Sequence, residues 1–277
     1  MNNKKVWLVT GCSKGLGKAL VKELLAQGYS GAGTSRSKES LEKSIGAESD
    51  TFLPLSMNVK DEADVKNAIA LATEKFGRID VVVNNAGFTH LATIEEMSDA
   101  DAHEEFEINV FGTLNVIRNV LPQMRAQGSG HIFNVSSLGA YNVGPLSGIY
   151  CATKHAVKAI SETLAQEVKA FGIHVKDVKP GFMRTEFFGS SYKTTAPDGS
   201  PYKHLYDENM EFYMGQNGNQ AGDPKKAAQL YIKVAEMDEP YESLPMGTDC
   251  CDGIRDICER TVKLMTEMRS VAETTNF

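Results

Sequence analysis

The chain has 277 residues, of which 42% are hydrophobic and 23% are charged, as is usual for a globular protein. Its formal net charge is −7, which argues against strong binding to nucleic acid or to an anionic membrane. The five cysteines lack the spacing of metal ligands, and the apolar run at the N-terminus is too short for a signal peptide or membrane anchor. These features predict a cytoplasmic protein with free thiols and no metal site.

Short apolar runs alternate with longer amphipathic stretches through most of the sequence. Strands are predicted at residues 5–10, 30–35, 52–57, 79–84, 130–136 and 173–179. Helices are predicted between them at about 15–27, 61–76, 99–126 and 149–171. This alternation predicts one α/β domain, built on a doubly wound parallel sheet with helices on both faces.

The pattern changes after the sixth predicted strand. Residues 186–222 are rich in Gly, Ser, Tyr and Phe, which predicts an irregular segment where ligands gather at the carboxyl ends of such a sheet. We interpret this segment as a substrate lid, with a plain surface loop as the alternative. Residues 223–277 are predicted to extend the same domain with a helix at 225–237, a strand near 244–246 and a last helix through about residue 270.

A glycine-rich turn follows the first strand and opens the first helix. Gly11, Gly15 and Gly17 permit a tight turn in which a pyrophosphate can approach backbone N–H groups at the helix N-terminus. The spacing G-x-x-x-G-x-G differs from the G-x-G-x-x-G dinucleotide fingerprint. On its own, therefore, the turn leaves a purely structural role open.

The end of the second strand carries information about the cofactor. An acidic residue there would hold the ribose hydroxyls of NAD, but this chain has Ser35 and Arg36 instead. The Arg36 guanidinium suits a 2′-phosphate, and Lys14 in the glycine turn is a second cation within reach of it. The two residues predict NADP(H) as the cofactor.

Tyr150 and Lys154 lie four residues apart in a predicted helix, so both point to the same side of it. A neighbouring ammonium favours the phenolate, so we expect Lys154 to lower the pKa of Tyr150 toward neutrality. Such a tyrosine serves as an acid and a base. Ser136 and Ser137 lie upstream, and Ser137 stands thirteen residues before the tyrosine.

Taken together, the motifs resemble those of the short-chain dehydrogenase/reductase family over nearly the whole chain. Six ordered motifs are more specific than any one of them. The matching positions are Thr10–Gly17, Asn84–Gly87, Asn109, Ser137, Tyr150 with Lys154, and Pro180–Gly181 with Thr185.

The resemblance implies a role for each catalytic residue. Tyr150 would donate a proton to a carbonyl oxygen as hydride arrives, and Ser137 would hydrogen-bond the same oxygen. Lys154 would lower the pKa of Tyr150 and bind the nicotinamide ribose. Asn109 would hold a water that links Lys154 to solvent, although a merely structural role inside the helix is the alternative.

The resemblance also implies a set of cofactor contacts. Asn58 stands where the family usually has an Asp near the adenine, and its side-chain oxygen still accepts a hydrogen bond. The full set is Gly11, Ser13, Lys14, Gly15, Leu16, Gly17, Ser35, Arg36, Asn58, Val59, Asn85, Ala86, Gly87, Tyr150, Lys154, Pro180, Gly181, Met183 and Thr185.

The lid segment carries many aromatic residues, which predict an apolar wall and a ketone or secondary alcohol with a sizeable apolar body. The equally open alternative is that these residues pack the lid onto the domain. The candidates in and beside the lid are Phe187, Phe188, Tyr192, Tyr202, His204, Tyr206, Phe212, Tyr213 and Met214, facing Phe88, Leu138, Tyr141 and Pro145. The predicted substrate contacts are Ser137, Leu138, Tyr141, Tyr150, Phe187 and Tyr192.

The function indicated is an NADPH-dependent carbonyl reductase that also runs as an alcohol dehydrogenase. An NAD-dependent alcohol dehydrogenase and an NADP(H)-binding redox sensor without turnover are the alternatives, while the glycine spacing disfavours an epimerase or dehydratase. The resemblance further implies a homodimer or homotetramer that uses the helices at about 99–126 and 149–171. We expect a small-molecule substrate and neither a nucleic acid nor a membrane as partner.

Overall fold

A central sheet of seven parallel strands organises the molecule, as seen in a computed structural model that describes residues 4–187, 192–194 and 197–277, with backbone only at 192 and 193. The strands of these parts are β1 (Val6–Val9), β2 (Ser30–Ser35), β3 (Phe52–Ser56), β4 (Val81–Asn84), β5 (Thr89–Leu91), β6 (Gly130–Val135), β7 (Ile173–Pro180), β8 (Tyr192–Thr194) and β9 (Ser243–Met246). The order in the sheet is β3-β2-β1-β4-β6-β7-β9, and β5 pairs with β8 separately.

The strand order reverses direction at β1. This strand pairs with β2 on one side and with β4 on the other, so the chain winds outward in both directions from it. Loops that leave the carboxyl ends of β1 and β4 therefore diverge and open a crevice between them. That crevice is where the glycine turn lies.

Helices cover both faces of the sheet. In the described parts of the chain they are α1 (Gly15–Ala26), α2 (Lys38–Ser44), α3 (Glu62–Phe76), α4 (Asp99–Phe106), α5 (Gly112–Gln127), α6 (Gly148–Val168), α7 (Lys203–Gln216), α8 (Pro224–Ala235) and α9 (Thr248–Ala272). A π-helical turn, Glu107–Phe111, joins α4 to α5. A search of the described residues for a helix that could traverse a lipid bilayer finds none.

Two apolar layers hold the helices to the sheet. On β1, Trp7 and Val9 face one layer and Leu8 faces the other, as the alternation of side chains along a strand requires. Phe133 on β6 stacks on Trp7 with ring centroids 6.3 Å apart. Strands buried on both faces explain why several of them are continuously apolar in sequence.

The predicted fold is confirmed, with three differences of detail. Helix α2 and the β5–β8 pair were not predicted, because each is too short to give a clear periodic pattern. The segment 186–222 is not structureless throughout, because α7 occupies residues 203–216. Tyr206, Met210 and Tyr213 follow a helical spacing there, and they pack against Leu91 and Leu146.

Candidate active site

A large cleft of about 670 Å³ opens at the carboxyl ends of β1, β4, β6 and β7. One end is lined by the glycine turn and by the residues after β2 and β3. The other end is lined by aromatic side chains from the 182–187 turn and from α7. The cleft therefore joins a polar compartment to an apolar one.

The glycine turn packs so tightly against the loop after β4 that two of its positions have no room for a side chain. Gly11 has φ +69°, and a Cβ there would lie 2.8 Å from the Cα of Ala86. A Cβ at Gly17 would lie 2.6 Å from Nδ2 of Asn85. The Asn85 amide donates to the carbonyls of Thr10 (2.9 Å) and Gly11 (3.0 Å). Asn85 thus braces the turn that presents the N-terminus of α1 to the cleft.

The predicted cofactor residues lie along this end of the cleft, with Gly17 as the exception. Gly17 packs beneath the turn against Asn85 and does not line the cleft, so its role is to let α1 approach. The residues brought together on the wall are Gly11, Ser13, Lys14, Gly15, Leu16, Ser35, Arg36, Asn58, Val59, Asn85, Ala86, Gly87, Tyr150, Lys154, Pro180, Gly181, Met183 and Thr185.

Two cations stand together at the far corner of this compartment. Partial burial lowers the pKa of Lys14, and the positive charge of Arg36 lowers it further. Glu186 acts in the opposite direction. Two like charges held this close at a cleft wall are suited to a ligand with a compact, multiply charged anion.

The other residues of this corner are partly committed to local structure. The Ser35 hydroxyl donates to the carbonyl of Ser37 at 2.6 Å. The Asn58 side-chain oxygen accepts from the N–H of Lys60 at 3.2 Å, which leaves it a second lone pair toward the cleft. Both residues still line the cleft wall.

Ser137 and Tyr150 meet at the junction of the two compartments. The Ser137 hydroxyl accepts from the N–H of Gly139 at 2.9 Å. The adjacent Ser136 instead donates to the carboxylate of Asp177 and, at 3.0 Å, to the carbonyl of Val178. Ser136 is therefore tied to β7, while Ser137 lines the cleft, as predicted.

The pKa of Tyr150 departs from the expectation. Burial raises the pKa of its phenol, and a hydrogen bond from Ser137 only partly offsets this. Lys154 Nζ lies 5.6 Å from the centre of the Tyr150 ring, and burial lowers the pKa of Lys154 itself to about 8. Desolvation has the largest effect on the pKa of Tyr150, so its phenol is held in the protonated form.

Lys154 is anchored at the end of β6. Its ammonium donates to the carbonyl of Val135 at 2.8 Å. A Cβ at Gly87 would lie 3.6 Å from Lys154 Nζ, so the loop after β4 passes directly over the ammonium. A side chain at Gly87 would also press on Asn109, because its Cβ would lie 3.0 Å from Asn109 Oδ1.

Asn109 lies in the π-helical turn and binds the same loop. Its side-chain amide donates to the carbonyl of Phe88 (2.9 Å) and to Thr153 (3.1 Å), and its oxygen accepts from the Phe88 N–H (3.1 Å). The Asn109 side chain therefore holds the backbone at Phe88 and the Thr153 hydroxyl, which is a structural role. A π turn at a functional position is a common pattern in helices.

The turn after β7 closes the cleft opposite the glycine turn. A Cβ at Gly15 would lie 3.8 Å from the Thr185 side chain. Gly181 has the carboxylate of Asp249 beside it, and that carboxylate accepts from the Phe182 N–H at 2.6 Å. Asp249, at the start of α9, thus fixes the turn that carries Thr185.

The aromatic residues of the lid divide into two groups. Phe187, Phe212 and Tyr213 line the cleft together with Phe88 and Leu138, and the Phe187 ring lies 6.1 Å from that of Tyr150. The Tyr206 hydroxyl donates to Glu96 at 2.9 Å and accepts from the Thr93 N–H, which pins α7 to the body. The first group lines the cleft, while Tyr206 packs α7 onto the domain.

Some predicted substrate contacts lie elsewhere. Tyr141 does not line the cleft; its ring lies under Lys158 and Lys179, 5.2 and 5.7 Å from their ammonium groups. The prediction for Tyr141 is wrong because the short helical turn after Ser137 directs its ring away from the cleft. The side chains of Phe188 and Tyr192 lie outside the described residues. The remaining candidates that do not line the cleft are Pro145, Tyr202, His204, Tyr206 and Met214.

Several residues near the site were not predicted, among them Phe182, Asn209 and Glu105. Phe182 and Asn209 line the cleft, and α7, which carries Asn209, had not been recognised. Glu105 is fully buried, and burial raises its pKa to about 7 although the charge of Lys154 opposes this. Glu105 stands one helical turn before Asn109, and that spacing is the feature that would have indicated it.

A doubly wound sheet with a glycine turn, a Ser–Tyr–Lys constellation and one connecting cleft defines a nucleotide-binding oxidoreductase fold. The sequence profile of the short chain dehydrogenase family matches residues 5–196. The chain belongs to this family, whose members use nicotinamide cofactors and act on small molecules.

Individual relatives agree with this assignment. The oxidoreductase BOA17 of Botryotinia fuckeliana is 36% identical over 249 residues, which cover 90% of each chain. A short-chain dehydrogenase from Streptomyces avermitilis has a TM-score of 0.89 at 33% identity, with both chains fully covered. An alcohol dehydrogenase from the archaeon Thermococcus sibiricus, complexed with 5-hydroxy-NADP, has a TM-score of 0.68 at 26% identity and covers 87% of this chain and 95% of its own.

Proposed function

We propose that the protein is an NADPH-dependent reductase of ketones or aldehydes, reversible as a dehydrogenase of secondary alcohols. The observation that carries the proposal is the junction of Ser137 and Tyr150 midway along a cleft with a polar and an apolar end. A hydride donor in the polar end and a carbonyl compound in the apolar end would meet at these two hydroxyls.

The polar compartment fits a dinucleotide. Gly11 and Gly15 line the cleft, and Gly15 begins α1 without a side chain, so a pyrophosphate can come close to the backbone at the N-terminus of that helix. Lys14 and Arg36 at the far corner suit the 2′-phosphate of NADP(H), and the second strand ends in Ser35 and Arg36, without the acid that would hold free ribose hydroxyls there. The NADP analogue bound by the Thermococcus sibiricus enzyme supports the same preference. The bound cofactor supplies the hydride.

Proton transfer falls to Tyr150. Because burial raises its pKa, the phenol is protonated at neutral pH and is ready to donate to a carbonyl oxygen that gains negative charge. Ser137 would hydrogen-bond that oxygen and hold it near the phenol. Once the phenolate has formed, the nearby ammonium of Lys154 would stabilise it.

Lys154 and Asn109 would restore the proton. Lys154 has a pKa of about 8, so it can give up and regain a proton near neutral pH. We assign the nicotinamide ribose hydroxyls to the same ammonium. The Asn109 side chain already holds the Phe88 backbone, so a water in this relay would be placed by the π turn around Asn109.

The apolar compartment sets the substrate class. Phe187, Phe212 and Tyr213 form a concave aromatic wall beside Tyr150, which suits a carbonyl compound with a sizeable apolar body. We assign substrate contacts to Ser137, Leu138, Tyr150 and Phe187. We further propose that the chain works as one domain. Because all five cysteines are free thiols, we also propose that it works in a reducing compartment such as the cytoplasm.

Two alternative functions can be distinguished from the proposed one by cofactor oxidation. A redox sensor would bind NADPH without turnover, and an NAD-dependent alcohol dehydrogenase would prefer NADH. Purified protein should be mixed with NADPH or NADH and a panel of ketones, aldehydes and quinones, and cofactor oxidation followed by absorbance. We expect turnover with NADPH that is strongest for bulky apolar ketones. Tight NADPH binding with no turnover on any carbonyl would support the sensor instead.

A further inference from the structure

The C-terminal helix projects beyond the body of the protein. The first turns of α9 pack against β9 and the short turn at Leu138–Ala140, and Cys250 is fully buried there. From Cys258 to Phe277 every residue is exposed. Fifteen residues of helix, 258–272, therefore extend for about 22 Å with every side chain exposed.

The projecting part keeps the apolar face of the packed part. The positions that continue this face are Cys250, Ile254, Ile257, Thr261, Leu264, Met268 and Val271. Their steps alternate between four and three residues, which is the spacing of a coiled-coil seam. Leu264 is 51% exposed and Met268 is 44% exposed, so the outer part of the seam is uncovered. An isolated amphipathic helix of this length is marginal in water, so it calls for a partner.

We propose that the projecting half of α9 pairs with the same helix of a second copy, antiparallel, about a two-fold axis between Thr261 and Leu264. In this register Ile257 meets the partner's Met268, and Thr261 meets the partner's Leu264. In each of these pairs across the seam, a larger side chain packs against a smaller or more flexible one, as interdigitated packing requires.

The charges beside the seam favour the antiparallel arrangement. In that register Arg260 faces the partner's Glu267, and the symmetry creates this attractive pair twice. In a parallel pair Arg260 would face Met265, and Glu267 would face Ala272, so both charges would lose their complement. The pattern is thus self-complementary, as a two-fold interface demands.

A lipid surface fits the same helix less well. Between residues 258 and 273 three basic side chains are balanced by three acidic ones, so the helix has no net attraction to anionic headgroups. The commitment is therefore to a second copy of the chain. This surface is separate from the helices at 99–126 and 149–171, and it does not depend on the enzymatic function.

A native cysteine allows a direct test. In the antiparallel register Cys258 flanks the seam next to the partner's Met265. Met265→Cys should therefore give a disulfide-linked dimer under mild oxidation, seen on a non-reducing gel. Thr266→Cys, on the outer face of the same helix, is the matched control and should give only background linkage. Equal linkage for the two variants, or none for either, would overturn the proposal.

Charge exchange gives a second readout that requires no oxidation. Arg260→Glu and Glu267→Arg should each raise the dissociation constant of this contact about tenfold in sedimentation experiments, because two attractive pairs become repulsive. The double variant Arg260→Glu/Glu267→Arg should restore assembly. Failure of the double variant to recover would contradict the register, as would assembly that ignores all three variants. Vesicle binding without self-association would replace the proposal with a membrane contact.

Discussion

Each end of the sheet buries a lysine, and the two lysines differ in what surrounds them. At the carboxyl end, Lys154 donates to Val135 and lies beside Tyr150, next to the open cleft. Toward the other end, Lys176 on β7 lies 3.0 Å from Nδ1 of His131, and its side chain is fully buried. Burial lowers the pKa of Lys154 to about 8 and that of Lys176 to about 7.

The comparison shows that a shifted pKa alone does not identify an active site. Both ammonium groups are desolvated, and both have lost much of their preference for the charged form. Only Lys154 shares a cavity with a tyrosine and a serine that can reach a ligand. Lys154 lies at the cleft and is therefore the lysine with a chemical role, while burial of Lys176 lowers the stability of the folded protein. The predictions below separate the two roles.

The largest expected effect is on activity at the carboxyl end. Lys154→Met should reduce kcat for NADPH-dependent ketone reduction by about 10²- to 10⁴-fold, because the proposed mechanism gives Lys154 both the proton relay and the ribose contact. Lys176→Met removes a comparable buried lysine and should leave kcat within about twofold. Steady-state kinetics of the two variants, prepared in parallel, measure this difference. Equal losses would mean that burial of the lysine matters and not its position.

Arg36 gives the next largest effect, at the far corner of the same cleft. Arg36→Ala should raise the KM for NADPH about 10- to 100-fold and leave that for NADH nearly unchanged, since a hydrogen bond to a charged group contributes roughly 1.5–3 kcal/mol. Lys38→Ala, which removes a neighbouring exposed charge outside the cleft, is the matched control. Equal weakening of both cofactors by Arg36→Ala would show that Arg36 does not contact a 2′-phosphate.

The smallest expected effect concerns stability. The pKa of Lys176 falls from 10.5 to about 7 on folding, so between these values the unfolded chain binds more protons. The stability of the native protein attributable to Lys176 therefore rises with pH across this window, and its full cost is present below pH 7. Lys176→Met should stabilise the protein by roughly 1–4 kcal/mol at pH 6, where this cost is greatest.

Chemical denaturation at several pH values tests this prediction. The gain from Lys176→Met should shrink as the pH approaches 10, because the native lysine is then neutral and the unfolded lysine begins to lose its proton. A gain that is the same at pH 6 and pH 9.5 would show that Lys176 retains its charge in the folded protein.

The sheet could be predicted from sequence because its strands are apolar on both faces and alternate with helices of clear period. The motif residues could be predicted for a related reason: each follows directly on a strand end or shares one helix face. Ser137, Tyr150 and Lys154 belong to this group. The position of Tyr141 and the presence of α7 were not predicted, because both depend on contacts between residues far apart in the sequence. Tyr141 turns toward Lys179 on β7, and α7 is stabilised by Tyr206 bound to Glu96.

The direction of the Tyr150 pKa failed for a different reason. The four-residue spacing from Lys154 shows that an ammonium is near, but it does not show how little water reaches the phenol. The surroundings of the phenol include Phe187, whose ring lies 6.1 Å from that of Tyr150 and which comes from a later part of the chain. Glu105 was not predicted as a site residue for a similar reason, because the sequence does not show that its side chain is buried.

The central claim is that Tyr150 transfers the proton in a reductase, and Tyr150→Phe tests it most directly. NADPH binding should be followed by fluorescence and ketone reduction by absorbance, in the variant and in the native protein. We predict that the variant binds NADPH with nearly native affinity and that its kcat falls by about 10²-fold or more, since only the phenolic hydroxyl is removed. Turnover at a native rate in the variant would contradict the account.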